Sequence, residues 1–277
     1  MPFGWFRRRK QSAQQAGSAP AASAASAPSR PAPAATVRTG TGSAVSLDKM
    51  ERTAPGLVSL YKAAGVSLEK HRLAGVRAAV YLVLDRSGSM SGFYRNGSVQ
   101  SLAERVLAAA AHFDDDGVVP VVFFDSKAYQ VEEISLTDYP GRIAELHAKM
   151  GHMGTTNYVA AMEAVIDHYK DCGATDPAYV VFQTDGAPDN PKAAEKTLCK
   201  AAKLPIFWQF VGFGRDQFKF LHRLDELPAP KHRVVDNAGF FEAGADPRRL
   251  SDAKLYDQLM IEFPEWLVAA KRAGVLR

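Results

Sequence analysis

The residues of this 277-residue chain best suited to chemistry are Asp85, Ser87 and Ser89, in the run Asp85-Arg86-Ser87-Gly88-Ser89. Side chains two apart in a loop leaving a strand can turn into one small volume. A carboxylate and two hydroxyls are hard oxygen donors, matched to Mg²⁺ or Ca²⁺ and poorly matched to zinc or copper. A threonine hydroxyl and a second carboxylate would complete five protein groups, and two carboxylates balance the charge of a divalent ion. Mg²⁺ takes six oxygens, so at least one position is left to water or to an incoming carboxylate. Two other stretches offer the missing groups: Thr184-Asp185-Gly186, and the glycine-led turn Met153-Gly154-Thr155-Thr156-Asn157. A lone Asp/Ser turn also has a plain structural use, in which hydroxyls bond the nearby backbone. The second acid at another strand end is what tips the reading toward a cation.

Such loops need a scaffold, and the hydropathy pattern supplies one. Residues 78–84 form a continuous apolar run ending at Asp85, as expected for a strand covered on both faces. Val99, Leu102, Ala103, Val106, Leu107, Ala110 and Phe113 recur at three and four residues, which predicts a helix. Residues 118–124 read as a second buried strand and 129–134 as an edge strand. A short helix is marked by Ile143, Leu146 and Met150, and a stronger one spans 158–169. Residues 179–183 lead as a strand into Thr184 and Asp185, and Asn190-Pro191 opens the next helix. The pattern then gives a strand at 206–211 closed by Gly212 and Gly214, a helix at 218–227 and a weak strand at 234–235. A helical end over 255–267 is broken at Pro264. Strand–helix alternation of this length predicts an α/β, doubly wound, mostly parallel sheet flanked by helices, of Rossmann-like type. In such sheets functional groups sit beyond the carboxyl ends of the strands, where strand order reverses.

Three segments are expected: a tail over 1–45, a helical lead-in over 46–74 and the α/β domain over 75–277. The tail is rich in Ala, Ser, Pro and Gln and buries too little apolar area to order itself, so it reads as disordered. Its six cations (Arg7, Arg8, Arg9, Lys10, Arg30, Arg38) and no acid exceed the net charge of +4, leaving residues 46–277 at −2. The domain thus lacks the basic surface of a nucleic-acid binder. Phe3, Trp5 and Phe6 beside Arg7–Lys10 give the tail some means of touching an anionic membrane, against the plainer role of a solubilising arm. No apolar run follows the basic cluster as in an export signal, and Cys172 and Cys199 make no disulfide framework. A cytoplasmic protein is expected.

The run LVLDRSGSM, followed by Thr184-Asp185-Gly186 at a second strand end, resembles the von Willebrand factor A (VWA) family. Its metal-ion-dependent adhesion site, or MIDAS, reads DxSxS, then Thr, then Asp. By this resemblance the ligands are Asp85, Ser87, Ser89, Thr156 and Asp185, some acting through water. Thr155 is the alternative to Thr156, because the family more often has Gly-Gly-Thr-Asn where this chain has Gly154-Thr155-Thr156-Asn157. The lead-in SLYKAAGVSLEK, with GTTNY and EFPEWL, is similar to the A-domain proteins of bacterial tellurium-resistance (Ter) systems. The resemblance implies a Mg²⁺ site, with Mn²⁺ or Ca²⁺ as alternatives, and a stress-linked, metal-dependent protein-binding module rather than an enzyme. The expected partner is a protein offering an Asp or Glu carboxylate to the metal. In some family members the C-terminal helix, here 255–267, shifts with metal coordination.

The competing class is a metal-dependent hydrolase or phosphotransferase. Dehalogenase-type phosphatases need a second acid where Ser87 stands, a nucleophile elbow needs Ser where Met90 stands, and no GxxxxGK[ST] is present. Of the remaining polar residues, Asp114, Asp115 and Asp116 precede a strand and read as a solvated turn. Asp125 follows one and reads as exposed, or as a partner for water around the cation. His147 and His152 have no ligand spacing, and Gly212-Phe213-Gly214 reads as a turn.

Overall fold

A computed structural model of the protein describes residues 35–229 and 231–277. Helices α1 (Leu47–Thr53) and α2 (Val58–Lys70) precede the first strand, β1 (Ala79–Asp85). After it come α3 (Ser91–Arg95), α4 (Ser98–Phe113), β2 (Val118–Phe124) and β3 (Glu132–Ser135). Helices α5 (Arg142–Lys149) and α6 (Tyr158–Asp171) lead to β4 (Ala178–Thr184), and α7 (Pro191–Ala201) to β5 (Ile206–Phe213). Helix α8 (Lys219–Asp225), strand β6 (Ala238–Gly244), and helices α9 (Asp252–Met260) and α10 (Phe263–Arg272) complete the fold.

The six strands lie in the order β3-β2-β1-β4-β5-β6. All neighbours are parallel except β2 and β3, whose direct connection makes that pair antiparallel. This is the expected doubly wound α/β sheet. Alternate residues of each strand feed two separate cores: Leu82 and Leu84 join the layer of α2, α4 and α9, whereas Tyr81 and Val83 join that of α6 and α7. Burial on both faces is why the strands read as apolar runs. From β1 the chain winds outward to β2, and from β4 to β5. The reversal of order therefore falls between β1 and β4, whose carboxyl ends carry Asp85 and Thr184-Asp185.

Helix starts follow local capping chemistry. Asn157 accepts from the Ala160 N–H at the start of α6, and Asn190 accepts from Ala193 ahead of Pro191 in α7. Pro264 does not kink a continuous helix. It stands in the first turn of α10, where its missing N–H costs nothing, and residues 261–262 separate α10 from α9.

Two expectations need correction. The tail reads as disordered to residue 45, yet residues 35–45 are built into the domain; the reading of residues 1–34 lies outside the described residues. Thr36 donates to the Thr175 carbonyl at 2.9 Å, Arg277 donates to Ala35 at 2.9 Å, and Val45 is fully buried beside Tyr61, whose hydroxyl donates to the Val45 carbonyl at 2.6 Å. Thr39 bridges Val76, and at Gly75, with φ +81°, an added Cβ would stand 2.4 Å from the Gly40 carbonyl oxygen. A few apolar side chains and a glycine hold a segment whose composition alone argues for disorder. The second correction concerns the last strand, which is β6 rather than 234–235. Arg233 is buried there, donating to the Leu227 and Asp225 carbonyls and pairing with Asp236 at 2.7 Å, and this holds residues 233–236 as a folded loop.

Candidate metal site

Four of the five predicted ligands are brought together by hydrogen bonds at the rim between β1 and β4. Asp85, the last residue of β1, is fully buried. One of its carboxylate oxygens accepts from the Ser87 N–H at 2.7 Å, and the other from the Thr184 hydroxyl at 2.6 Å. The Ser87 and Ser89 hydroxyls lie 3.1 Å apart, and Ser89 donates to Asp185 at 2.9 Å. Burial pushes the Asp85 carboxyl up to about 7; the Thr184 and Ser87 bonds oppose that, and Asp185 adds to it. Asp185 is itself shifted upward, chiefly by burial. Neither acid forms an ion pair among the described residues, the neighbouring Arg86 being paired with Asp125.

The predicted threonine lies in the turn between α5 and α6. Ser87 and Gly154 form a bridge, and the Gly88 N–H donates to the Gly154 carbonyl at 3.1 Å, which stitches this turn to the DxSxS loop. The crossing at Gly154 is close: a Cβ there would meet the Ser126 hydroxyl at 2.5 Å and the Ser126 backbone nitrogen at 3.1 Å. Thr155 is exposed and turned outward: its hydroxyl donates to Asp189 at 2.6 Å and lies 3.0 Å from the Ser126 hydroxyl. Thr156 is tied by its backbone alone, its N–H to the Asp189 carboxylate at 3.1 Å and its carbonyl to the Asp189 N–H at 2.9 Å. The Thr156 hydroxyl has no partner among the described residues.

Several residues that sequence reasoning missed support these loops. Arg86, inside the motif, is buried, and its guanidinium donates to Asp125 at 2.8 Å, to the His152 carbonyl at 3.1 Å and to the Gly151 carbonyl. Tyr129 donates to the same Asp125 oxygen at 2.7 Å. Asp125 is therefore buried rather than exposed, and it is the counter-charge of Arg86. Tyr158 places its hydroxyl 3.0 Å from that of Thr184 and donates to the Gly186 carbonyl at 2.5 Å, while Tyr94 donates to the Asp85 carbonyl at 3.0 Å. Asp189 was also missed, because it looks like part of the turn ahead of Asn190-Pro191. Of the histidines, His147 is stacked on Tyr94 with ring centroids 4.0 Å apart, and His152 is exposed.

Among the described residues no group of three or more His, Cys, Asp or Glu is placed to hold a metal ion. A set built on two acids and several hydroxyls falls outside that description, so the Asp85–Asp185 rim is judged on its own donors.

Comparison with known proteins places the chain. Residues 77–276 match the family model for the vWA-TerF-like domain, described as the vWA found in the TerF C terminus. An uncharacterized Bacillus subtilis protein, YcbR, is 37% identical over 220 residues, covering 78% of this chain and 88% of that one. Among solved structures, manganese-loaded TRAP protein of Plasmodium vivax matches at 19% identity over 66% of this chain and 74% of that one, with a TM-score of 0.47. Proximal thread matrix protein 1 of the mussel byssus matches at 12% identity, with a TM-score of 0.48; the alignment covers 66% of this chain and 47% of that one. Structural likenesses at this level carry no argument of their own. The family model and the relative do: this chain belongs to the vWA-TerF-like family of VWA domains.

Proposed function

We propose that the chain is a protein-binding module whose grip on its partner depends on a divalent cation, Mg²⁺ before Mn²⁺ or Ca²⁺. The observation that carries this reading is the pair of acids, Asp85 and Asp185, linked through the Ser87 and Ser89 hydroxyls and in no ion pair among the described residues. Holding such acids close costs free energy that a hard cation offsets. The oxygens of Asp85, Ser87, Ser89, Thr156 and Asp185 fit that ion, and five protein groups leave a sixth position on Mg²⁺. When bound, the cation supplies a Lewis-acidic position for a carboxylate from a partner's Asp or Glu. Thr184 fixes the direction of the Asp85 carboxylate, and Tyr158 holds the Asp185–Gly186 turn.

A cytoplasmic setting belongs to the same proposal. It is supported by two free cysteines, and among the described residues no helix is long and apolar enough to cross a membrane. The family description ties such domains to TerF, and a role in tellurium-resistance or chemical-stress systems is proposed on that ground.

The test is calorimetric titration of Mg²⁺, Mn²⁺ and Ca²⁺ into the intact protein and Asp85→Ala, followed by affinity capture with and without metal. Saturable binding lost in Asp85→Ala, together with capture that needs metal, supports the proposal. Capture unchanged in Asp85→Ala removes it. Magnesium-dependent turnover of a phosphate ester, lost in Asp85→Asn, would replace it with a hydrolase.

A further inference from the structure

The rim is flanked by two open pockets of different chemistry, one on each side along the sheet. On the β5 side, Gly186 and residues 215–221 enclose about 500 Å³. Arg215 and Lys219 line this pocket, both exposed, and neither is within ion-pair reach of an acid among the described residues. Asp216, also in its wall, accepts from the Phe218 N–H at 2.6 Å. That bond accompanies a left-handed backbone at Phe218 (φ +45°), an uncommon conformation for an aromatic residue, which sets Arg215 and Lys219 on either side of a fixed turn. The lining charge is two cations against one acid.

On the β2 side, Gly88 and the end of α5 enclose about 470 Å³. Its wall includes Met150 and Met153, both partly buried against the core, and Ala148. Arg86 reaches this wall already paired with Asp125, and burial, then the charge of Arg86, lowers the pKa of His147. This pocket has no acid and no unpaired Lys or Arg in its wall, which also includes His152, and its flexible thioethers suit varied apolar side chains. Gly88 lies between Ser87 and Ser89, and Gly186 follows Asp185, so each pocket shares a loop with proposed cation ligands.

We infer that the partner is an acidic segment read with a fixed polarity: a central carboxylate at the cation, further acidic side chains toward Arg215 and Lys219, and an apolar side chain toward Met150 and Met153. This rests on the proposed cation-dependent binding. Charge complementarity selects the occupant on the β5 side, because a basic segment would set its cations against Arg215 and Lys219. The apolar pocket gives no such gain to a charged residue, and this breaks the symmetry of the site.

The test uses the full chain and labelled peptides carrying one Asp with Leu on one side and two Glu on the other, made in both chain directions. A matching set carries Lys in place of Glu. Binding is measured by fluorescence anisotropy in Mg²⁺ and in EDTA. In Mg²⁺, one direction of the Glu peptide should bind about tenfold tighter than its Lys counterpart, a preference that shrinks as salt rises. The variant carrying Arg215→Gln and Lys219→Gln should lose that preference while still binding Mg²⁺ saturably by calorimetry. Met150→Asp should weaken the Leu-bearing peptide alone, relative to one with Gly in place of Leu. A preference for Glu that survives in full in the double variant, or no preference in the parent, overturns the assignment of the pockets. No Mg²⁺-dependent binding of any peptide overturns instead the cation-dependent reading beneath it.

Discussion

Arg86 and Asp125 form an ion pair of 2.8 Å with side chains only 1% and 4% exposed, one position along the chain from the Asp85 carboxylate. The same guanidinium holds the Gly151 and His152 carbonyls, so one buried cation ties together the loops after β1, after β2 and before α6. Arg86→Met strands the Asp125 charge in the interior and should cost about 3–5 kcal/mol, measured by denaturant unfolding. The double replacement with Asp125→Leu should cost clearly less, because no charge is left unpaired. Both proteins should bind Mg²⁺ more weakly than the parent, since the Gly151–Asn157 turn loses its anchor.

Thr155 and Thr156 are adjacent hydroxyls with opposite surroundings. The Thr155 hydroxyl is engaged by Asp189 and Ser126, whereas that of Thr156 has no partner among the described residues. Thr156→Ala should lower Mg²⁺ affinity by about tenfold or more, the order of loss expected for disturbing a metal's ligand set. Thr155→Ala should change it by about threefold or less. Titration calorimetry on the two variants separates them, and the reverse ranking would reassign the ligand.

Glu262, at the entry to α10, is held against Gly239 of β6 among other acids. Burial, then Asp225, Asp236 and Glu265, raise its carboxyl to about 8 from an ordinary value near 4.5. The native state therefore keeps a proton that the unfolded chain has lost. Its contribution to stability is complete below about pH 4.5 and is lost as pH climbs through 8. Glu262→Gln keeps the shape and removes the titration. At pH 8.5 this variant should melt about 2–4 °C above the parent, and near pH 4.5 the two should coincide.

Gly75 anchors residues 39–42 to the body of the fold. Gly75→Ala combines a left-handed backbone with a Cβ pressed on the Gly40 carbonyl. A loss of about 2 kcal/mol is expected, with faster exchange of the Gly40 amide, which donates to the Gly75 carbonyl at 2.7 Å in the parent. Hydrogen exchange followed by mass spectrometry reads both effects.

The site was legible in the sequence where chemistry and position coincide. Asp85, Ser87, Ser89 and Asp185 declare themselves because acids and hydroxyls are unusual immediately after predominantly apolar strands. Arg86 gave no such signal: an arginine in a loop normally reaches solvent, and its burial depends on Asp125 arriving from a different strand end. Asp189 was hidden for a related reason, since its bonds to Thr155 and Thr156 cross between loops far apart in the chain. Thr184 reads as the last residue of a strand, and only the tertiary fold turns its hydroxyl onto Asp85. In the fold, β1, β2, β4 and β5 were plain because burial on both faces leaves them predominantly apolar. Strand β6 was not, because Phe240 and Phe241 are flanked by glycines, alanines and Glu242, which dilute the pattern. The 35–45 segment failed on composition, which cannot foresee that Ala35 and Val45 find closed sites.

The backbone contacts between Ala35, Val37 and Arg277 carry a topological consequence. The described fold is almost a loop without ends, its first and last residues lying side by side at the pole away from Asp85. A short glycine-rich bridge from Arg277 to Ala35, with the chain reopened at the exposed Asp115–Asp116 turn, should yield a circular permutant with the same sheet. Its new ends would also lie on the far side from the rim, so a surface or label attached there leaves the cleft facing outward.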